Sequence, residues 1–269
     1  MPFPLIKLND GNEIPGIAYG TGSARFGKDA TVFVKQAIST GFTHIDTAQA
    51  YQNEDSVGLA LSQAGVARKD LYVTTKYRSG DIKAALQSSL KKLGLKYVDL
   101  YLIHTPTAVK DIPAAWKVLE SFVDAGLVKS IGVSNFEVEH LEQVLRVARI
   151  KPVANQIRLH PYNWHLNEKL IGLCIKEGIV LEAYGSLFPI TSAPGGPVDR
   201  PLQNAAARIG GTPAQVIFSW LKSKGVVVVT TSSTESRLKE YLGTADLPPL
   251  TNDEVTAIET AGASGQPLK

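Results

Sequence analysis

Short apolar runs recur along the chain at intervals of about 25–30 residues, the length of a β-strand plus the helix that carries the chain back, except for a wider gap before the last. They lie at Ala18–Gly20, Thr43–Ile45, Leu71–Thr75, Val98–Ile103, Ser130–Val133, Val153–Asn155, Val180–Ala183 and Val226–Val229. Helical patterns occupy the intervals at Ala30–Thr40, Asn53–Ala64, Ile82–Leu93, Pro113–Ala125, Val138–Ala148, Leu166–Lys176, Pro213–Lys224 and Thr234–Tyr241. Runs such as Leu100–Ile103 are apolar on both faces, as a parallel strand covered by helices must be. Eight such units predict an α/β fold closed into a (β/α)8 TIM barrel rather than an open sheet. No linker or compositional break divides residues 1–269, so one domain is expected.

Two stretches fall outside the repeat. Leu5–Leu8 and Glu13–Ile17 flank Asn9-Asp-Gly-Asn12, a strong hairpin signal, and this hairpin is expected to close the bottom of the barrel. The segment Leu187–Pro201 is rich in Pro and Gly and follows the seventh barrel strand. It is long enough to be functional rather than connective, which predicts a covering loop or lid over the catalytic face.

Composition narrows the function. A net charge of +3 is small, and no run of Lys and Arg interleaved with aromatics marks a nucleic-acid partner. The longest apolar run, Gly225–Val229, is far too short to span a bilayer, and the first residues show no secretory leader. Cys174 is the single cysteine, which excludes an internal disulfide and a cysteine metal cluster. Its mid-helix apolar setting predicts inert packing. A soluble protein of a reducing compartment, cytoplasmic, fits these facts.

In a barrel the last residues of each strand converge on one cavity. Here they are Asp46, followed by Tyr51 on the connection into the helix, then Lys76, His104, Ser134 with Asn135, Asn155 with Gln156, and Tyr184. Asp46 and Tyr51 taken alone could simply satisfy loop amides and pack on a rim. An Asp, a Tyr, a Lys and a His on neighbouring strand ends form a proton-transfer set instead. A free phenol has a pKa of about 10, and a nearby ammonium favours its ionised form. Asp46 would hold Lys76 charged, and His104 could position a carbonyl oxygen beside the phenol. One His within reach of one carboxylate is no metal site, so no metal is expected.

These residues carry a resemblance. The chain is similar to the aldo-keto reductases from Asn9-Asp-Gly to Leu250-Thr-Asn-Asp-Glu254. The matching stretches are Asp46-Thr-Ala-Gln-Ala-Tyr-Gln-Asn-Glu54, Thr74-Thr-Lys76, Leu102-Ile-His104, Gly132-Val-Ser-Asn-Phe136, and Asn155-Gln-Ile157 with His160-Pro-Tyr162. The resemblance implies that Asp46, Tyr51, Lys76 and His104 are the catalytic tetrad of a carbonyl reductase. It further implies a nicotinamide cofactor bound without a Rossmann fingerprint, since Gly20-Thr-Gly22 has no G-x-G-x-x-G continuation. By matching position, Gly20, Thr21 and Asp46 would border the cofactor. Ser134, Asn135 and Gln156 would hold its carboxamide, and Tyr184 would stack on the ring. Gly185, Ser186 and Leu187 would line the diphosphate path, with Ser232, Ser233, Thr234, Arg237, Glu240 and Tyr241 at the far end.

The sequence departs from the family pattern at informative places. Thr231 stands where a lysine usually pairs with the 2′-phosphate, and Tyr241 where an asparagine is usual. Hydroxyls at a helix start and the forked Arg237 guanidinium still suit a phosphate, so NADP(H) is expected, with NAD(H) possible because of Thr231. Gly22 and Thr105 replace frequent tryptophans and should open the pocket, whose expected aromatic walls are Tyr77 and Trp164 beside Tyr51 and His104. Arg25 could meet an anionic substrate or be merely solvated. The tail after Glu259 is short, so a long terminal loop narrowing the pocket is not expected. The implied partner is a small-molecule carbonyl compound, without nucleic acid or membrane, and a monomer is compatible. Two rivals stay open: a cofactor-holding barrel with a sensing or structural role and little turnover, and a phosphosugar isomerase or lyase on the same fold.

Overall fold

The computed structural model describes residues 3–265. Strands β1 (Leu5–Lys7) and β2 (Glu13–Pro15) pair antiparallel around the Asn9–Asn12 turn. Eight further strands pair in parallel: β3 (Ile17–Gly20), β4 (His44–Asp46), β5 (Tyr72–Tyr77), β6 (Val98–Ile103), β7 (Val128–Ser134), β8 (Ala154–Arg158), β9 (Val180–Tyr184) and β10 (Val227–Thr230). They close into a barrel, β10 bonding back to β3. The expected (β/α)8 TIM barrel is therefore the fold. Helices α1 (Thr31–Thr40), α2 (Glu54–Gln63), α3 (Ile82–Leu93), α4 (Ile112–Asp124), α5 (Val138–Leu145) and α6 (Glu168–Glu177) follow the first six barrel strands. Three helices lie between β9 and β10: α7 (Phe188–Thr191), α8 (Asp199–Ile209) and α9 (Pro213–Ser223). After β10 come α10 (Glu235–Gly243) and α11 (Asn252–Ser264).

The period-2 alternation of each strand divides its side chains between two layers. Ile45, Val73, Tyr77, Tyr101, Ile103, Ile131, Val133, Ile157 and Leu181 pack outward into the helix layer. Leu100, Leu102, Ala154 and Val227 face inward and form a second, smaller cluster with Leu8 and Ile14 of the hairpin. That cluster is the floor the hairpin was expected to supply. Polar clamps hold it: Asn9 donates to the Pro152 carbonyl, and Ser130 donates to Asp10. Above the floor the interior turns polar, and the candidate site lies there.

The sequence reading passed over α7, α8 and α11. Leu202, Ala205, Ala206 and Ile209 are buried at helical spacing, but the many polar residues of α8 masked this stripe. The expected loop at Leu187–Pro201 is thus short helix, turn, and the first residues of α8. Helix α11 opens on a capping box between Thr251 and Glu254 and continues to Ser264. Residues 260–264 of the expected tail are therefore helical, and 266–269 lie outside the described residues. Cys174 is buried, and burial pushes its thiol up to about 12, in keeping with inert packing.

Gly58 marks the closest approach of two helices. A Cβ there would lie 2.7–2.8 Å from backbone carbons of Leu93 at the end of α3. Gly58→Ala should destabilise the fold by about 2–3 kcal/mol, read as a lower urea midpoint at constant slope. His44, fully buried and bonded to the Thr74 hydroxyl at 2.8 Å, offers a second check. Burial lowers its pKa from 6.5 to about 4. The unfolded chain therefore takes up a proton below pH 6.5 that the folded chain refuses until about pH 4. Stability should fall as pH drops through that window, by roughly 3 kcal/mol from this residue. His44→Gln should flatten the dependence in melts at pH 7 and 4.5.

Candidate active site

The turn after β4 is built to present Tyr51. A 3-10 turn over Gln49–Tyr51 and a left-handed Gln52 (φ 56°) swing the chain from the strand into α2. Asn53 donates to the carbonyls of Thr21 and Arg25, tying the loop after β3 to this turn. Buried Glu54 accepts from Thr75 and Ser89 behind the barrel wall. Gln49 accepts from the amides of Arg78 and Ser79, locking the next loop in place. Gly22 lies against the Tyr51 ring, where a Cβ would approach the ring carbons at 2.9–3.2 Å.

Four side chains far apart in sequence meet at this end. Lys76 is completely buried and donates to Asp46 Oδ1 at 2.6 Å, to the Thr47 carbonyl at 3.0 Å and to the Tyr51 hydroxyl at 3.3 Å. The three donors of one ammonium are thereby used. The Tyr51 and His104 rings meet edge to face, centroids 5.5 Å apart. Burial alone would lower the Lys76 pKa, but Asp46, Tyr51 and Glu182 outweigh it and hold the amine charged. For Tyr51, burial raises the phenol pKa, Lys76 pulls it down and Asp46 pushes it up, leaving a net rise. The expected lowering by Lys76 is thus one pull among several, and the phenol carries its proton at neutral pH. Burial, then Lys76, lowers His104 to about 4, so its imidazole is neutral. Its Nδ1 is buried without a partner among the described residues.

A cleft of about 580 Å³ runs from this group to the far side of the barrel mouth. Of the expected residues, Gly20, Asp46, Tyr51, His104, Ser134, Asn135, Gln156, Tyr184, Gly185, Ser186, Leu187, Arg237 and Tyr241 line it. Many are already engaged. Gln156 spends its amide donor on Asp46 at 2.9 Å and Glu182 at 2.6 Å, leaving its carbonyl as an acceptor. Asn135, left-handed at φ 59°, donates to the His104 carbonyl and Ser134 Oγ and accepts from the Tyr184 hydroxyl at 2.8 Å. That last bond holds the Tyr184 ring. The loop after β9 is pinned by Phe188, which stacks on His160 at 4.8 Å and lies under the Arg158 guanidinium at 4.6 Å. Leu187 and Thr191 from this loop line the cleft.

Several expectations are corrected. Tyr77 is not a pocket wall: it follows Lys76, so the pleat sends it outward, where its hydroxyl donates to the Gly80 carbonyl. Trp164 packs edge to face on Trp220 at 5.0 Å under Lys224, away from the cleft. Thr21 is buried and bonds the Asp46 carbonyl, so it supports the site without lining it. Glu240 accepts from Thr212 at the start of α9, a structural clamp. Ser232, Ser233 and Thr234 do not line the cleft, Ser232 Oγ being bonded to the Thr234 amide. Arg25 stacks over Phe33 at 3.3 Å. The sequence reading missed Ser23, Arg158, Thr191, Phe218, Val229 and Thr230 as lining residues, along with buried Glu182 beneath them. Arg158 and Glu182 were findable, each being two residues along its strand from an assigned side chain and so on the same face.

Comparison with known proteins agrees with this geometry. Residues 17–189 match the aldo/keto reductase family. The chain is 40% identical over 245 residues to the NAD/NADP-dependent indole-3-acetaldehyde reductase of Schizosaccharomyces pombe, covering 86% of each chain. It is 39% identical to the glyoxal reductase of Bacillus subtilis, over 89% of this chain and 87% of that one. Among solved structures, an aldo/keto reductase from Brucella melitensis superposes with a TM-score of 0.86 at 36% identity, over 96% of this chain and 99% of the other. With its barrel closed and these four side chains gathered at one strand-end cleft, this chain belongs to the aldo/keto reductase family.

Proposed function

We propose that the protein reduces aldehydes or ketones to alcohols with a nicotinamide cofactor, Tyr51 giving the proton. One observation carries the reading: a phenol at the floor of a cleft, 3.3 Å from an ammonium that a buried carboxylate holds in place. Bound in the cleft, the reduced nicotinamide supplies the hydride. As negative charge develops on the carbonyl oxygen, Tyr51 releases its proton and Lys76 stabilises the phenolate left behind. Neutral His104 can hold the carbonyl oxygen beside the phenol through a ring nitrogen, and Asp46 fixes the ammonium. A sensing or structural barrel with little turnover would not require an ammonium–carboxylate pair buried against a phenol at the cleft floor, so we rank it second.

The cleft suits a dinucleotide. Its one acidic lining residue, Asp46, is neutralised by Lys76, while Arg158 and Arg237 are cationic. Tyr184 offers a ring, and Ser134 and the Gln156 carbonyl offer polar groups at the same end. Gly185 adopts φ 66°, which lets the backbone turn tightly beside Arg158. At the far end Thr230, Thr231 and Arg237 surround a polar corner. A guanidinium with no ion pair among the described residues favours a phosphate over a diol, so we assign NADP(H) as the preferred cofactor, with NAD(H) usable. Among the described residues no helix is long and apolar enough to cross a membrane and no cluster could hold a metal. We place the protein in the cytoplasm as one barrel domain, its partner a small carbonyl compound.

Tyr51→Phe should lower kcat for NADPH-dependent aldehyde reduction by about 10²–10⁴-fold while the NADPH dissociation constant changes little. Retained turnover would remove Tyr51 as the acid. Arg237→Ala should weaken NADPH binding by about tenfold and NADH binding far less, measured by fluorescence titration with each cofactor. Equal losses would place Arg237 outside the 2′-phosphate site.

A further inference from the structure

We propose that Glu182 is a positioning residue for the reduction: through Gln156, its carboxyl sets the charge balance around the Asp46–Lys76 pair and thereby how tightly Tyr51 holds its proton. This rests on the reading of Tyr51 as the proton donor. Glu182 lies midway along β9, two residues below Tyr184, with its side chain inside the barrel and wholly buried. Its Oε2 accepts from Gln156 Nε2 at 2.6 Å, the nitrogen that also donates to Asp46 Oδ2 at 2.9 Å. Asp46 Oδ1 is 2.6 Å from Lys76, which reaches Tyr51 at 3.3 Å. An unbroken line of polar contacts thus runs from a carboxyl below the cleft to the phenol at its floor. The other Glu182 oxygen, Oε1, is buried without a partner among the described residues.

The charges do not balance if every group ionises. One ammonium faces two carboxyl groups in a space shut off from water, so one carboxylate must bear the cost of burial. Asp46 has the direct ion pair and Glu182 does not. The groups facing Glu182 are Asp46 from β4, Lys76 and the buried Tyr72 phenol from β5, and the Gln156 amide from β8. Its neighbour on β10 is Val227, which carries no charge. Burial, then Asp46, raises the Glu182 pKa to about 7, with Gln156 and Lys76 opposing. Below that pH the network holds one positive and one negative charge. Above it a second negative charge appears, which disfavours the Tyr51 phenolate and weakens the phenol as an acid. The rate of reduction should therefore fall as pH rises through neutrality. Among the described residues no other group near the cleft has a pKa displaced to that range: His104 lies at about 4 and Tyr51 is raised.

The test is the pH dependence of kcat for benzaldehyde reduction by NADPH, measured from pH 5.5 to 9 on wild type, Glu182→Gln and Glu182→Asp. Glutamine preserves shape and still accepts from Gln156 but never ionises. Wild type should lose about threefold to tenfold in kcat across a limb centred near pH 7. Glu182→Gln should lack that limb with an unchanged KM for NADPH, and Glu182→Asp should retain it. A wild-type profile without the limb, or a Gln variant that keeps it or merely lowers kcat uniformly at every pH, overturns the proposal. The wild-type and Asp profiles decide the matter even where the Gln variant folds poorly. A wild type that turns over no aldehyde at any pH would instead overturn the reductase reading itself.

Discussion

A lysine ammonium with no exposure to water, held by a carboxylate at 2.6 Å, is the interaction on which the rest of the site depends. Burying such a pair is costly unless every donor and both carboxylate oxygens find a partner. The structure meets that condition: Lys76 has three acceptors, and the Asp46 side chain takes Lys76 on one oxygen and Gln156 on the other. The third acceptor of Lys76 is the Tyr51 hydroxyl, so a fully buried charge is coupled directly to a phenol that lines the cleft.

Holding that geometry takes more residues than the four that meet. Thr21, Asn53, Glu54 and Gln49 touch neither substrate nor cofactor in this reading. Yet they tie the turn that carries Tyr51 to the loops after β3 and β5 and to strand β5 itself. Asn135 and Tyr184 are likewise bound to each other before any ligand enters. A site whose donors and rings are fixed in advance spends little binding energy on ordering itself. The cationic ends of the cleft, Arg158 and Arg237, are the parts left open for an anion.

Much of this was legible in the chain. Strand–helix spacing was enough for the barrel, because a parallel strand apolar on both faces has few other places to go. The strand-end polar residues marked a proton-transfer set, and a resemblance carried by several separate motifs implied their roles. Tyr77 and Trp164 were misjudged for different reasons. Tyr77 adjoins Lys76, and the alternation of a strand forbids both from facing inward. Trp164 belongs to a helix-side contact with Trp220 that no local pattern announces. Ser232–Thr234 and Glu240 matched by position while their side chains stand outside the cleft or bond elsewhere.

By itself the sequence determined the fold class, the floor hairpin and which side chains could take part in proton transfer, since these follow from periodicity, turn chemistry and residue type. Protonation was decided only by the tertiary structure. Whether Tyr51 is acidified or kept neutral, whether His104 is charged, and whether Glu182 belongs to the site all depend on desolvation and on distances between strands remote in the chain. Those quantities come into being when the barrel closes, because a pKa reflects what surrounds a group rather than the neighbours it has in sequence.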